Sequence, residues 1–389
     1  MERVLIVATT SYAGMGPYVS EIANTFSKED TNVYFFFRDY SDEYFRKNIK
    51  RELQRRSVFY KRANTNLNTL IDLIRNTQPY YNEILQICSD KDIRVVHFIN
   101  GIPHASFVRQ LRKKGVRVIG TVHDLHPHEA KKAWYKVLRS RIEAFRQENN
   151  LHECHNLITN SLSQLKELRE AFPKKNIMYH AFPSLVTPEI ANGNDIVPEL
   201  LHLQKPYILF FGRIEAYKGI HLLYEAYMSS SYLKDNYSLV IAGKGDIYFD
   251  AQIDSATIVF LNRYIKDSEV KALYANASCV VYPYLSATQS GVLSLAFYFQ
   301  CPTLASDVSF FKSIIQGKGV GCLFEANNAI DLQGKLIALL KMGKIEKKEM
   351  RKAQRIFYEN NYDSVAMKTN LVKIYEEVGR KSDSIMPCP

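Results

Sequence analysis

Cysteine is scarce and scattered: Cys88, Cys154, Cys279, Cys301, Cys322 and Cys388 in 389 residues, with no Cys-x-x-Cys pair and no framework spacing. A disulfide-stapled scaffold is thereby excluded, and the thiols read as reduced and mostly buried, as in a cytosolic protein. No apolar run approaches the roughly 20 residues that span a bilayer, so any membrane contact is expected at the surface. The opening, Met1-Glu2-Arg3 followed by Val4-Leu5-Ile6-Val7-Ala8, reads as a strand rather than a secretion signal. No short-period repeat is present. Gly-x-Gly-x-x-Gly is missing as well, because Val19 stands where a third glycine after Gly14 and Gly16 would be; this argues against an NAD-linked dehydrogenase. No aromatic-basic RNA motif or reader helix is visible, so no nucleic-acid partner is expected. Acidic residues are the minority charge, 40 against 51 Lys plus Arg, and the net charge of +11 favours an anionic partner such as phosphate or an acidic membrane surface.

A hydrophobic fraction of 46% over this length predicts two globular domains. In the first half, buried strands are expected at Val4 to Thr9, Asn32 to Phe37, Val95 to Phe98, Val116 to Val122 and Asn156 to Thr159, with helical stretches such as Leu67 to Ile74 and Phe107 to Leu111 between them. Proline and glycine mark Pro183 to Pro206 as a linker. The pattern then restarts, with strands at Tyr207 to Phe211, Ser238 to Ala242, Thr257 to Leu261, Cys279 to Tyr282 and Thr303 to Ser306. Lys347 to Val378 reads as one long helical segment. Continuous β-branched strands alternating with amphipathic helices imply two doubly wound parallel sheets of the α/β class. In such sheets ligands lie at the carboxyl ends of the strands, and each motif below sits on a loop that follows a strand.

Gly212-Arg213-Ile214-Glu215-Ala216-Tyr217-Lys218-Gly219 places two cations five residues apart between a strand and a helix. Arg213 offers a fork and Lys218 a point charge, a combination suited to a diphosphate beside a helix N-terminus. Ser286-Ala287-Thr288-Gln289-Ser290-Gly291-Val292 follows another strand, and its backbone amides are expected to meet an anion, with Ser290 equally suited to cap the helix. Gly14 and Gly16 form a weaker loop of the same kind. Thr121-Val122-His123-Asp124-Leu125-His126-Pro127-His128-Glu129 gathers histidines and acids. No cysteine joins them, so no metal is expected, and His123, first after its strand, is best placed to reach a ligand; His126 and His128 read equally as structural.

Gly-Arg-x4-Lys-Gly, Ile241-Ala242-Gly243-Lys244-Gly245, Pro283 and Pro302 together resemble the retaining GT-B glycosyltransferases of family 4, best across residues 207 to 310. The first half fits more loosely, through Gly14, Gly16 and His123-Asp124. Arg263-Tyr264-Ile265-x-Asp267, Gln289-Ser290-Gly291-Val292 and Thr121-Val122-His123-Asp124 look like a subgroup tied to bacterial cell-surface polysaccharides. The resemblance implies two Rossmann-like domains facing a cleft: an acceptor domain over 1–190, a nucleotide-sugar domain over 205–345, and a segment 346–389 returning to the first. It implies that Arg213 and Lys218 bind the donor diphosphate, that the backbone of Arg263 to Ile265 meets the base, and that Gln289, Ser290, Gly291 and Val292 add contacts. Gly14, Gly16 and Gly243 join the donor site, and His123 touches the sugar near its reacting carbon.

The pattern departs in one place. Family members carry two glutamates eight residues apart, and by alignment on Pro302 those positions are Ala287 and Leu295. Ribose recognition is then lost or shifted, for instance to Gln289, and an inactive homologue acting as a binding partner is the alternative. The resemblance otherwise implies sugar transfer from a UDP- or GDP-linked donor without a metal or other cofactor. The expected acceptor is a saccharide or a polyprenyl-diphosphate-linked sugar, met at the inner face of the plasma membrane. Basic stretches at Arg46 to Arg62, Arg109 to Arg117 and Lys131 to Arg146 suit an anionic membrane surface.

Overall fold

The computed structural model describes residues 2–11, 15–39, 43–61, 79–123, 149–251, 257–287 and 290–380. Its chain divides into two compact units, Met1–Ala181 with Ser364–Pro389, and Phe182–Asp363. Among the described residues no helix is long and apolar enough to cross a membrane.

Unit 1 is built on seven strands: β1 (Val4–Ala8), β2 (Val33–Asp39), β3 (Ser57–Lys61), β4 (Val95–Phe98), β5 (Arg117–Val122), β6 (Asn156–Thr159) and β7 (Asn176–Tyr179). All pair in parallel, in the order β3-β2-β1-β4-β5-β6-β7. Val4-Leu5-Ile6-Val7-Ala8 is inaccessible along its whole length, because the central strand of a doubly wound sheet is covered on both faces.

Unit 2 repeats the plan with β8 (Tyr207–Phe211), β9 (Ser238–Ala242), β10 (Ile258–Leu261), β11 (Ala277–Tyr282), β12 (Thr303–Ser306) and β13 (Cys322–Phe324). Their order, β10-β9-β8-β11-β12-β13, is again wholly parallel. Strand order reverses between β1 and β4 in one sheet and between β8 and β11 in the other. Loops leaving the carboxyl ends at a reversal diverge and open a crevice, so the segments after β8 and β11 are the first place to seek a ligand site.

Three boundaries move from those read in the sequence. Pro183 to Pro206 is no loose linker: it belongs to unit 2, carries the helix Pro188–Asn192 and a short turn at Pro198–Leu200, and buries Ile190 and Val197 in that unit's core. The segment Lys347 to Val378 is not one helix but two, Lys344–Asn361 and Ser364–Arg380, separated at Tyr362-Asp363. The unit boundary falls at that break, so the limits at 190, 205 and 345 shift to 181/182 and 363/364. The Ser364–Arg380 helix joins unit 1 through Lys368, whose ammonium pairs with Asp30 at 2.7 Å, and through Tyr375, buried against His97. The stretch Leu67 to Ile74 lies outside the described residues.

Candidate functional site

The chain leaving β8 extends the sheet ladder before it turns. The Gly212 amide donates to the Ala242 carbonyl at 2.9 Å and that of Ile214 to Lys244 at 3.0 Å, so the loop after β8 is zipped to the loop after β9. On its other side the Leu285 amide donates to the Tyr217 carbonyl at 2.7 Å, tying in the loop after β11. Gly219 then ends a single turn, Ala216–Lys218, in the left-handed region at φ 63°. A Cβ there would stand 2.0 Å from the Pro283 carbonyl oxygen, so only glycine admits the approach of the two loops.

Lys218 is turned inward by this turn and is only 6% exposed. Its ammonium lies 5.5 Å from the centre of the Tyr284 ring and 5.9 Å from that of Tyr217, within range of cation–π attraction. Among the described residues no carboxylate forms an ion pair with it. Burial lowers its pKa to about 8; Glu215 nearby pulls it up and Arg213 pushes it down. The Arg213 side chain is 71% exposed and pairs with Glu215 at 3.0 Å, a surface contact worth little in water and easily exchanged for a ligand. The pocket thus holds two cations against one carboxylate, with the better-buried cation short of a counter-charge.

Tyr284 links this pocket to the second motif, since its hydroxyl hydrogen-bonds the Ser290 side chain; burial raises its pKa above the usual phenol range. Gly291 precedes the helix Val292–Tyr298, and a side chain on it would meet Leu185 at 2.7 Å. Ser294 fastens that helix start, donating to the Gly291 carbonyl at 2.6 Å and accepting the Leu185 amide at 2.9 Å. Gly243 closes the group from the β9 side: its amide donates to Leu261, and a Cβ on it would stand 2.0 Å from the Gly212 carbonyl oxygen. Arg213, Lys218, Ser290, Gly291 and Val292 therefore follow the two strands of the reversal, with Gly243 on the neighbouring loop after β9. Tyr217, inside the first motif, and Tyr284, outside every motif, give the lysine its surroundings.

One expectation changes. The first amide of the Ile220–Met228 helix is taken by the Tyr248 hydroxyl at 2.9 Å, so that helix end is already partly satisfied. The Arg263 side chain, near the expected base contact, is committed to the fold: it forks onto Glu269 at 2.7 and 2.8 Å and onto Glu199 at 2.9 and 3.3 Å. These bonds hold both carboxyls below their usual range and raise the guanidinium further. Tyr264 beside it is 74% exposed, whereas Ile265 is buried. Their loop follows β10, two strands from β8, or roughly 10 Å away across the sheet. Leu295 is 1% exposed and belongs to the apolar core, while Ala287 is partly exposed. Thr288 and Gln289 lie outside the described residues.

In unit 1, His123 follows β5; its Nε2–H donates to the Ile99 carbonyl at 3.0 Å, and Tyr18 meets its ring edge-on at 4.8 Å. Tyr18 lies on the helix that begins at Met15, two residues after Gly16, whose amide donates to the Ser11 carbonyl at 3.1 Å. Any side chain on Gly16 would strike the Tyr44 ring, at 2.6 Å. Beneath them His97 spans Thr121 and Tyr375, each at 2.9 Å, and burial lowers its pKa to about 3; burial likewise takes His180 to about 4. Several cations of the expected basic surface serve this unit's own fold. Arg56 donates to the Ser27 and Val33 carbonyls at 2.6 and 2.7 Å, and Arg109 and Arg112 both pair with Glu153. Gly14, Asp124, His126, His128, Glu129 and Lys131 to Arg146 lie outside the described residues.

Comparison with known proteins agrees with this geometry. The profile of glycosyl transferases group 1 matches residues 194–357, and that of glycosyltransferase family 4 matches residues 12–180. A phosphatidyl-myo-inositol mannosyltransferase of Mycobacterium leprae is 24% identical over 186 residues; the match spans 46% of this chain and 48% of that relative, about half its length. Among solved structures, HepE of Anabaena in complex with UDP superimposes with a TM-score of 0.66 at 12% identity, over 97% of this chain and 100% of that one. A glycosyltransferase of Rickettsia africae gives 0.66 at 15% identity over 98% and 100%, and sucrose-phosphate synthase of Thermosynechococcus elongatus gives 0.64 at 15% over 97% and 99%. At such identities the likeness is one of fold, the two-sheet GT-B arrangement.

Proposed function

Because the chain belongs to the group 1, family 4 glycosyltransferases, we propose that it is a retaining transferase that moves a sugar from a nucleotide-diphosphate-sugar, UDP- or GDP-linked, to a saccharide or polyprenyl-diphosphate-linked acceptor. The observation that carries this reading is Lys218: a buried ammonium that pairs with no carboxylate among the described residues, beside the exposed fork of Arg213, at the strand-order reversal of unit 2. A diphosphate supplies the missing charge. As the sugar–phosphate bond breaks, negative charge grows on the leaving group, and preorganised cations stabilise that change more than the ground state.

Gly243, Ser290, Gly291 and Val292 complete the phosphate surroundings, the backbone of Arg263 to Ile265 meets the base, His123 touches the donor sugar near its reacting carbon, and Gly14 and Gly16 are donor-binding residues. A donor phosphate oxygen takes the acceptor proton on the same face, so neither a carboxylate base nor a metal is required. The name of the relative above, a phosphatidyl-myo-inositol mannosyltransferase, supports a lipid-linked acceptor; a place in cell-surface polysaccharide synthesis at the inner face of the plasma membrane is part of the same proposal. Thermal-shift screening with UDP, GDP, ADP and dTDP, followed by transfer assays with sugars of the winning base in EDTA, tests the reading. Stabilisation by one diphosphate and metal-free turnover are expected; no response to any of the four would contradict it.

One observation favours a second reading, that of a catalytically weak or inactive binding partner. Leu295 lies in the apolar core and Ala287 is a methyl, so neither former acid position offers a carboxylate to ribose or sugar. Stabilisation by a nucleotide sugar without transfer or hydrolysis over a donor panel would select it.

A further inference from the structure

The loop that carries Lys218 also carries an anion of its own. Glu215 stands between the two cations of the motif, in an extended conformation that leads into the Ala216–Lys218 turn. Its carboxylate meets the Arg213 guanidinium at 3.0 Å, and its side chain is 31% exposed. The Tyr217 hydroxyl donates to that carboxylate and accepts from the arginine, so one phenol steadies both partners. The Lys218 amide donates to the Glu215 carbonyl at 3.0 Å, which fixes the backbone beneath them. The carboxylate also acts on the buried ammonium, raising the Lys218 pKa against the effect of burial. Glu215 therefore stands beside both groups assigned to the diphosphate, with a charge of the same sign as a phosphate.

Two demands on such a site conflict. Cations that stabilise a leaving diphosphate also hold the product harder than the donor, because a freed terminal phosphate, with a second pKa near 6, carries roughly one more negative charge at neutral pH. Two unopposed cations would then make product release the slow step. We propose that Glu215 is a built-in competitor for Arg213: it holds the guanidinium between turnovers, yields it to the donor, and retakes it as the nucleoside diphosphate leaves. Its repulsion grows with the charge of the ligand, so it weakens product binding more than donor binding. A partly exposed ion pair is weak enough to be exchanged in each cycle. The inference rests on the diphosphate site proposed above and adds how that site is emptied.

Calorimetric titration at pH 7 with UDP and with UDP-glucose tests it, or with GDP and GDP-mannose where the guanine nucleotide is the one that binds. The proteins compared are the native chain, Glu215→Gln, Arg213→Met and the double variant. Glu215→Gln should bind the nucleoside diphosphate about three- to fivefold tighter and the nucleotide sugar tighter by less, with melting close to that of the native chain. The gain should vanish in the Arg213→Met background, where the carboxylate has nothing to compete for. If the native chain binds the nucleoside diphosphate and Glu215→Gln binds it no tighter, or if the gain is as large without Arg213, this inference falls and the diphosphate site stands. Absence of binding by the native chain and every variant would overturn both.

Discussion

The ammonium of Lys218 lies 2.9 Å from the point where a Cβ on Gly212 would stand. The two ends of the Gly-Arg-x4-Lys-Gly motif are thus steric partners: a bare backbone at φ 140° leaves room for the folded-back lysine. Gly212→Ala should expel the ammonium from its aromatic cage and strain a backbone that side chains rarely adopt. Lys218→Ala should lower turnover by roughly 10²-fold with normal folding, and Gly212→Ala should approach that loss. Steady-state kinetics beside a melting curve check both; native-like turnover in Lys218→Ala would remove the lysine from the mechanism.

Lysine burial also gives donor binding a pH signature. The pKa of Lys218 is lowered from 10.5 to about 8, so between those values the unfolded chain binds more proton than the folded one. Stability of the free protein therefore rises with pH across that window, and Lys218→Met should flatten the rise. A bound diphosphate favours the charged form, so affinity for UDP should be level below about pH 8 and weaken by up to about tenfold per unit above it. Calorimetric titrations between about pH 7 and pH 10 would show the break, and Lys218→Arg should move it out of range.

Arg263 is expected to reveal itself through stability. Removing its guanidinium leaves Glu269, 6% exposed at its side chain, without its fork. Arg263→Met should cost about 1–3 kcal/mol, less than a fully buried pair because the arginine is one-third exposed. Urea unfolding followed by hydrogen exchange in β10 and the Asp267–Ala275 helix would measure it, and an unchanged midpoint would argue against the clamp.

Acid should attack unit 1 through its buried histidines. The pKa of His97 is lowered to about 3 and that of His180 to about 4, both from 6.5, so the unfolded chain takes up protons that the folded one refuses. Their contribution is present above pH 6.5 and is lost progressively as pH falls toward 4. Hydrogen exchange across β4 should accelerate over that range, and His97→Gln should lessen the acceleration.

The centre of each sheet was legible because Val4 to Ala8, Tyr207 to Phe211 and Ser238 to Ala242 are apolar runs that only burial on both faces explains. The strands not read were β3, β7 and β13, and each lies at a sheet edge. Edge strands are half covered, so Ser57–Lys61 and Asn176–Tyr179 mix polar with apolar residues and Cys322–Phe324 is merely short. The break at Tyr362-Asp363 escaped notice because helical spacing resumes at once on the far side. At the site, the order of Arg213 and Lys218 along the chain disclosed the cations, since both lie on one loop. The setting of Lys218 depends on Tyr284, brought from another strand by the β8–β11 pairing, and no local pattern encodes that. The side-chain clamp of Arg263 is hidden for the same reason: its partner Glu199 is distant in sequence.

Everything turns on whether a diphosphate reaches the Lys218 pocket, and a crystal structure of the protein with UDP tests this most directly. The expected result has phosphate oxygens within about 3 Å of both the Lys218 ammonium and the Arg213 guanidinium, with Glu215 released from the arginine. UDP bound elsewhere, with the Arg213–Glu215 pair intact and Lys218 still enclosed by Tyr217 and Tyr284, would contradict it.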